Sequence, residues 1–278
     1  MYNPWMLVRG LVYLLLLACT AGAGTTVSVT LLPADTVMKR LSEGLVAESR
    51  REAAVEALFQ DSGCTVSLEK VGRHSDNVIC DLGGETGDAI VVGAHYDFVS
   101  NRGGNGMVDD WSGVAALASL FETLKKSPRH HTFRFVAFAQ EESGLGGSER
   151  FVHDRKTDET HGVQAFVNLE CLGLSEPKVW ANRADRRLTM DLLRAAQATQ
   201  IPLAGMNVDF VGDDDSRSFL WKKIPVITIH SLTQETFPVL HGPGDQLKAV
   251  NGKYYYDAYR LAAFYLAYLD EVWRGGGK

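Results

Sequence analysis

Two glutamates stand side by side in AFAQEESGLGGSERF, at Glu141 and Glu142, where an apolar, β-rich stretch runs into a glycine-rich loop. Neighbouring carboxylates at the end of a buried strand repel each other and lose hydration, so they call for positive charge close by. His95 and Asp97 follow an apolar run at 89–94, and Asp109 and Asp110 precede a helical stretch. Glu170 ends a run at 165–169, and His241 lies in a loop after a run at 225–229. Two imidazoles and several carboxylates suit zinc. The arrangement expected is two ions roughly 3.5–4 Å apart, bridged by one carboxylate. Near that charge both glutamates stay ionised, one as ligand and one free to take a proton from water.

The surrounding elements decide whether such residues can meet. AIVVGAHYD at 89–97 reads as a strand buried on both faces, and HTFRFVAFA, VQAFVNLECL and IPVITIHS read as further strands. Helical spacing covers 110–126, RRLTMDLLRAAQATQ and the closing YYYDAYRLAAFYLAYLDEVW. GGSERFVHDR starts a helix, and the stretch from Val37 to Gly63 holds one or two more. Strands alternating with helices predict an α/β three-layer sandwich, a mixed, mostly parallel sheet with helices on both faces. In such sheets sites gather beyond the carboxyl ends of the strands, where the residues above fall.

GAHYDFVS, GMVDDWSGVAAL, FVAFAQEESGLGGSERFV, FVNLECLG and LHGPGDQL occur in that order. With them the sequence resembles the co-catalytic zinc aminopeptidases, family twenty-eight of the metallopeptidases, over roughly residues 40–270. Glutamate carboxypeptidases and glutaminyl cyclases are relatives. The resemblance implies metal ligands at His95, Asp109, Glu142, Glu170 and His241, with Asp109 bridging two zinc ions. It implies Glu141 as general base, Asp97 as the carboxylate orienting His95, Asp245 as an outer partner, and a cis bond between Asp109 and Asp110. Two positions depart from the family pattern: Glu170 replaces the usual aspartate, and Trp111 stands where small residues are common and narrows the pocket. Asp215 and Arg217 are expected to shape the substrate pocket. The implied activity is hydrolysis of N-terminal residues from peptides. Glutaminyl-peptide cyclisation with a single zinc, and a non-catalytic binding relative, remain as rivals.

Each residue alone has a plainer reading. Asp109-Asp110 would be a helix cap, and His241 beside Gly-Pro a turn residue. Their joint placement at strand ends, in family order, outweighs those readings. His130, His131, His153 and His161 are read as surface residues. Neither G-x-S-x-G nor H-E-x-x-H occurs.

The net charge of −6 speaks against a nucleic-acid binder. At the N-terminus, Arg9, an apolar run from Leu11 and small residues have the layout of an export signal over 1–23. Ala21-Gly22-Ala23 fits ordinary cleavage, and LLAC would place a lipid on Cys19. An uncleaved anchor is the third option, so any membrane contact is expected through this end alone. Export to the periplasm or outside the cell follows in each case. Residues 24–34 read as a linker and 35–278 as one catalytic domain. Export permits a Cys64–Cys80 bridge, the alternative being two buried thiols. Cys171 is read as a small buried packer.

Overall fold

The computed structural model describes residues 19–20, 26–153 and 162–274. Apart from the backbone at 19–20, the signal expected over 1–23 lies outside the described residues, as does His161. The short strands β1 (Cys19–Thr20) and β2 (Thr26–Val27) pair with each other. The main sheet holds β3 (Ser67–Lys70), β4 (Asp76–Leu82), β5 (Ala89–His95), β6 (Thr132–Phe138), β7 (Val163–Leu169), β8 (Lys178–Val179), β9 (Ala204–Gly205) and β10 (Val226–His230). Their order is β3-β4-β6-β5-β7-β10-β8-β9. The central strands β6, β5, β7 and β10 are parallel. β4 joins β6 antiparallel at one side and β8 joins β10 antiparallel at the other, so the sheet is mixed as expected.

Seven helices accompany the sheet among the described residues: α1 (Ala34–Ser42), α2 (Arg51–Asp61), α3 (Trp111–Leu124), α4 (Gly146–His153), α5 (Arg186–Thr199), α6 (Ser216–Trp221) and α7 (Gly252–Val272). Successive side chains of β5 point to opposite faces, as strand geometry requires. Ile90, Val92 and Ala94 join a core with α1, α2, α3, α5 and α7. Val91 joins a second core with Phe151 of α4 and Phe219 of α6, where the Phe219 ring stacks on Phe166 at 3.9 Å. Burial on both faces explains why β5 is apolar without alternation.

Two expectations change. Of the expected linker 24–34, the described part, residues 26–34, is packed against the domain. Val27, Val29 and Leu32 are buried in the larger core, Leu32 N–H donates to Tyr259 Oη at 2.8 Å, and Tyr256 Oη–H donates to Leu32 O at 2.8 Å. His131 is buried, because Asp270 of α7 accepts its main-chain N–H at 2.7 Å and bonds its ring Nδ1 at 3.0 Å. The sequence also carried no sign of α6, β8 and β9, which are too short to show a period. Cys64 and Cys80 form a disulfide between the end of α2 and β4.

Candidate metal centre

The parallel strands deliver their carboxyl ends to one edge. His95 closes β5 and pairs with Phe138, three residues before Glu141 on β6. Glu170 follows the last residue of β7. α3 brings Asp109 and Asp110 to the same edge, with Asp110 as its cap, accepting the Gly113 N–H at 3.0 Å. The helix lies so close that a Cβ on Gly113 would meet Leu169 O at 2.6 Å and Ala94 Cβ at 2.7 Å. The peptide between Asp109 and Asp110 is cis, as the resemblance implied.

The five expected ligands meet. Asp109 lies between the histidines, with Oδ1 3.1 Å from His95 Nε2 and Oδ2 3.0 Å from His241 Nε2. Glu170 Oε1 is 3.2 Å from His95 Nε2, and Glu142 Oε2 is 3.2 Å from His241 Nε2. Glu141 Oε2 stands off at 4.0 Å from His95 Nε2, free of both groups. Asp245 Oδ1 accepts the Val108 N–H at 2.7 Å and so sets the approach to Asp109. Asp97 acts differently from the expectation. The His95 ring bonds its main-chain oxygen at 3.1 Å, while Oδ1 is 3.7 Å away. Its carboxylate instead takes the N–H groups of Glu141 and Glu142, because the loop after β6 turns those amides toward it.

Without metal this acidic cluster holds protons. Burial works against a charged His95, yet Glu141, Glu170, Asp109 and Asp97 outweigh it and raise its pKa well above 6.5. Hydrogen bonds to Asp109 and Glu142 lift His241 to about 10. Burial raises Glu141 well above 4.5, with His95 opposing, and raises Glu170 to about 7. Burial also works against an ionised Asp109, but its bonds to His241 and His95 prevail and lower its pKa. Divalent cations would do the work of these protons. The residues fit zinc: each histidine is grouped with two carboxylates, the donors are nitrogen and oxygen, and Glu142 Oε1 is buried with no hydrogen-bond partner.

A network that sequence reading missed holds Glu170. Asn168 Nδ2 donates to Glu170 Oε2 at 3.0 Å and to Asp214 Oδ2 at 3.2 Å. Asp214 also accepts from Thr228 Oγ1 at 2.6 Å and from Ser216. The available signal was spacing: Asn168 and Glu170, two apart along a strand, share a face. The longer side chain at 170 is thus fixed by its far oxygen, leaving Oε1 toward His95.

A cavity of about 390 Å³ opens on the cluster, walled by Cys171, Trp180, Val208, Val211, Leu232 and Leu240 among others. Its lining carries Glu149, Asp213 and Asp214 beside the cluster acids, and no lysine or arginine among the described residues. The three expected pocket residues lie outside this lining. Trp111 is wholly buried in the core, its Nε1–H donating to Arg40 O at 3.2 Å. Arg217 is partly exposed and pairs with Asp213 at 3.1 Å. Asp215 is buried beneath the site, and burial pushes its carboxyl up to about 8.

The sequence profile of peptidase family M28 matches residues 77–266, the span that holds all five converging residues. The chain belongs to peptidase family M28. Among curated M28-like relatives, aminopeptidase YwaD of Bacillus subtilis is 26% identical over 221 residues, 70% of this chain and 45% of that protein. Leucine aminopeptidase 2 of Trichophyton rubrum is 32% identical over 102 residues, 36% of this chain and 20% of that protein. The chain thus spans less than half the length of these relatives. In fold it is similar to the Legionella pneumophila LapA aminopeptidase, with a TM-score of 0.75 at 20% identity, covering 86% of this chain and 72% of the other. It is also similar to a glutaminyl cyclase of Fimbriiglobus ruber, with a TM-score of 0.68 at 16% identity, covering 85% and 95%.

Proposed function

We propose that this chain is an exported zinc-dependent exopeptidase that removes N-terminal residues from peptides. The observation that carries the reading is Asp109, with one oxygen toward each histidine and a further carboxylate beside each pair. His241, Glu142 and Asp109 would hold one zinc ion, and His95, Glu170 and Asp109 a second. When bound, zinc polarises a carbonyl and acidifies water. Glu141 accepts a proton from the attacking water and passes it to the leaving nitrogen as the C–N bond breaks. The hydroxyl oxygen of that water stays with the acyl product.

Charge supports an amino end over a carboxyl end. The cavity has acids to spare and no lysine or arginine in its described lining to receive a substrate carboxylate. A protonated or metal-seeking amine suits it. Export is supported by Arg9, the apolar run from Leu11 and the Cys64–Cys80 bridge, a bond common outside the cytoplasm. Among the described residues no helix is long and apolar enough to cross a membrane. Attachment would rest on residues 1–23, as a lipid on Cys19 or as an anchor.

Cyclisation of N-terminal glutamine is the second reading, supported by the likeness in fold to a glutaminyl cyclase. The deciding experiment is a scan of aminoacyl amides, their N-acetylated forms and glutaminyl peptides, with zinc stripped and restored, alongside a metal count. Release of amino acid from free-amine substrates alone, at close to two zinc ions per chain, is expected. Ammonia release from glutaminyl peptides with one zinc would establish the cyclase instead, and neither product would leave a binding role.

A further inference from the structure

The two halves of the metal centre are not alike. Among the described residues His241 Nε2 meets only the carboxylates of Asp109 and Glu142, whereas the His95 half has a neighbour of different chemistry, Cys171. Adjacent residues along a strand point to opposite faces. Cys171, the second residue past β7, escapes that rule because it adopts a left-handed backbone, φ 48°. Its thiol therefore faces the same place as Glu170. Sγ lies 3.5 Å from Asp109 Oδ1 and 3.7 Å from Glu170 Oε1. Those are the two oxygens that face His95 Nε2, at 3.1 and 3.2 Å.

These separations come within a few tenths of an ångström of the edges of a coordination polyhedron. Zinc bonds of about 2.3 Å to sulfur and about 2.0–2.2 Å to nitrogen and oxygen, at tetrahedral angles, give donor–donor edges of roughly 3.3–3.6 Å. The ligating atoms of Asp109, Glu170 and Cys171 all fall within 4.8 Å of one another. A second observation points to a cation beside Glu170. Asp110 is wholly buried, its Oδ2 has no hydrogen-bond partner, and one of its oxygens lies within 4.8 Å of the donors of His95 and Glu170. A buried carboxylate oxygen left without a donor gains most from a nearby metal charge.

The geometry points to Cys171 as a further metal donor, a sulfur added to the position of His95, Asp109 and Glu170. The inference rests on the metal centre proposed above and gives its two positions different characters. One would draw on the three harder donors of His241, Glu142 and Asp109 and could also take water or a substrate oxygen. The other would draw on a nitrogen, two oxygens and a sulfur, the donor count of a four-coordinate zinc site. Thiolate donors favour zinc, cobalt and cadmium over harder ions. As the metal–sulfur bond forms, the thiol proton passes to the buffer.

Cobalt reports on sulfur directly. Cys64 and Cys80 are bridged, so the full chain carrying Cys19→Ser leaves Cys171 as its one free thiol. Titrating that metal-free protein with cobalt is expected to give visible d–d bands and an intense near-ultraviolet sulfur-to-cobalt charge-transfer band. The latter should saturate with one of the ions taken up. Adding Cys171→Ser should abolish the charge-transfer band, keep the d–d bands, and weaken cadmium binding on the order of 10–100-fold. d–d bands without charge transfer in the parent protein would overturn ligation by Cys171 and leave the metal centre standing, the thiol then being only a hydrogen-bond donor. No bands of either kind would overturn the metal centre itself. If Cys171→Ser fails to fold, the parent spectrum alone decides.

Discussion

Asp97 grips the main chain of Glu141, its Oδ1 accepting that residue's N–H at 3.0 Å while its Oδ2 accepts the Glu142 N–H at 3.1 Å. One carboxylate thus sets where both glutamates leave the sheet. Asp97→Asn keeps one acceptor oxygen and Asp97→Ala keeps none. Asp97→Ala should lose zinc affinity about 10–100-fold with kcat falling alongside, and Asp97→Asn should fall between. Zinc competition and kinetics on one preparation check this. Wild-type zinc affinity in Asp97→Ala would show that the two amides hold their place unaided.

The adjacent glutamates should separate by what they lose. Glu142 lies 3.2 Å from His241, whereas Glu141 stands 4.0 Å from His95. Glu141→Gln keeps its volume but cannot take a proton, so kcat should drop about 10²–10⁴-fold with zinc content unchanged. Glu142→Gln should shed zinc as well as activity. If Glu141→Gln is the variant that sheds metal, the two roles are reversed.

The Cys64–Cys80 bridge closes a loop with a sequence separation of 16. In the chain-entropy account a loop of that size contributes about 3 kcal/mol. Denaturant unfolding of Cys64→Ala/Cys80→Ala should show a loss of that order. A loss near zero would mean that the native packing of α2 on β4 already restrains the loop.

His230 should make the fold acid-sensitive. Burial is the main cause that pushes its pKa down from 6.5 to about 4. Its ring nitrogens are both engaged, one with Met206 O at 3.1 Å and the other accepting the Leu232 N–H at 3.1 Å. Between these two pH values the unfolded chain binds the proton and the folded chain does not. Stability is therefore lost as pH falls from about 6.5 to about 4, by at most about 3 kcal/mol. Melting curves of His230→Gln should show a shallower decline over that window than the parent protein. Parallel curves would remove His230 as the cause.

Much of this was legible because the site follows directly from strand ends. AIVVGAH declares a strand covered on both sides, and a histidine at its last position must then lie at the sheet edge. What stayed hidden depends on distant or very local geometry. His131 is buried through a partner 139 residues away. Whether Asp97 offers His95 its carboxylate or its main-chain oxygen is decided by one turn of backbone. Trp111, wide enough to crowd a pocket, instead fills the core beneath α1, where Arg51 lies 5.0 Å from its ring centroid. β8 and β9, of two residues each, leave no pattern to read.

The donors grouped around Asp109 come from segments far apart in the chain, from His95 to His241. An ion shared among them would be a removable cross-link that ties distant loops into one knot. The unfolded chain has no such site, so every increment of free zinc above the dissociation constant would add to the stability of the fold. Zinc scarcity would then shorten the life of the protein as well as silence it, since loops released from the knot are the natural points of attack for other proteases.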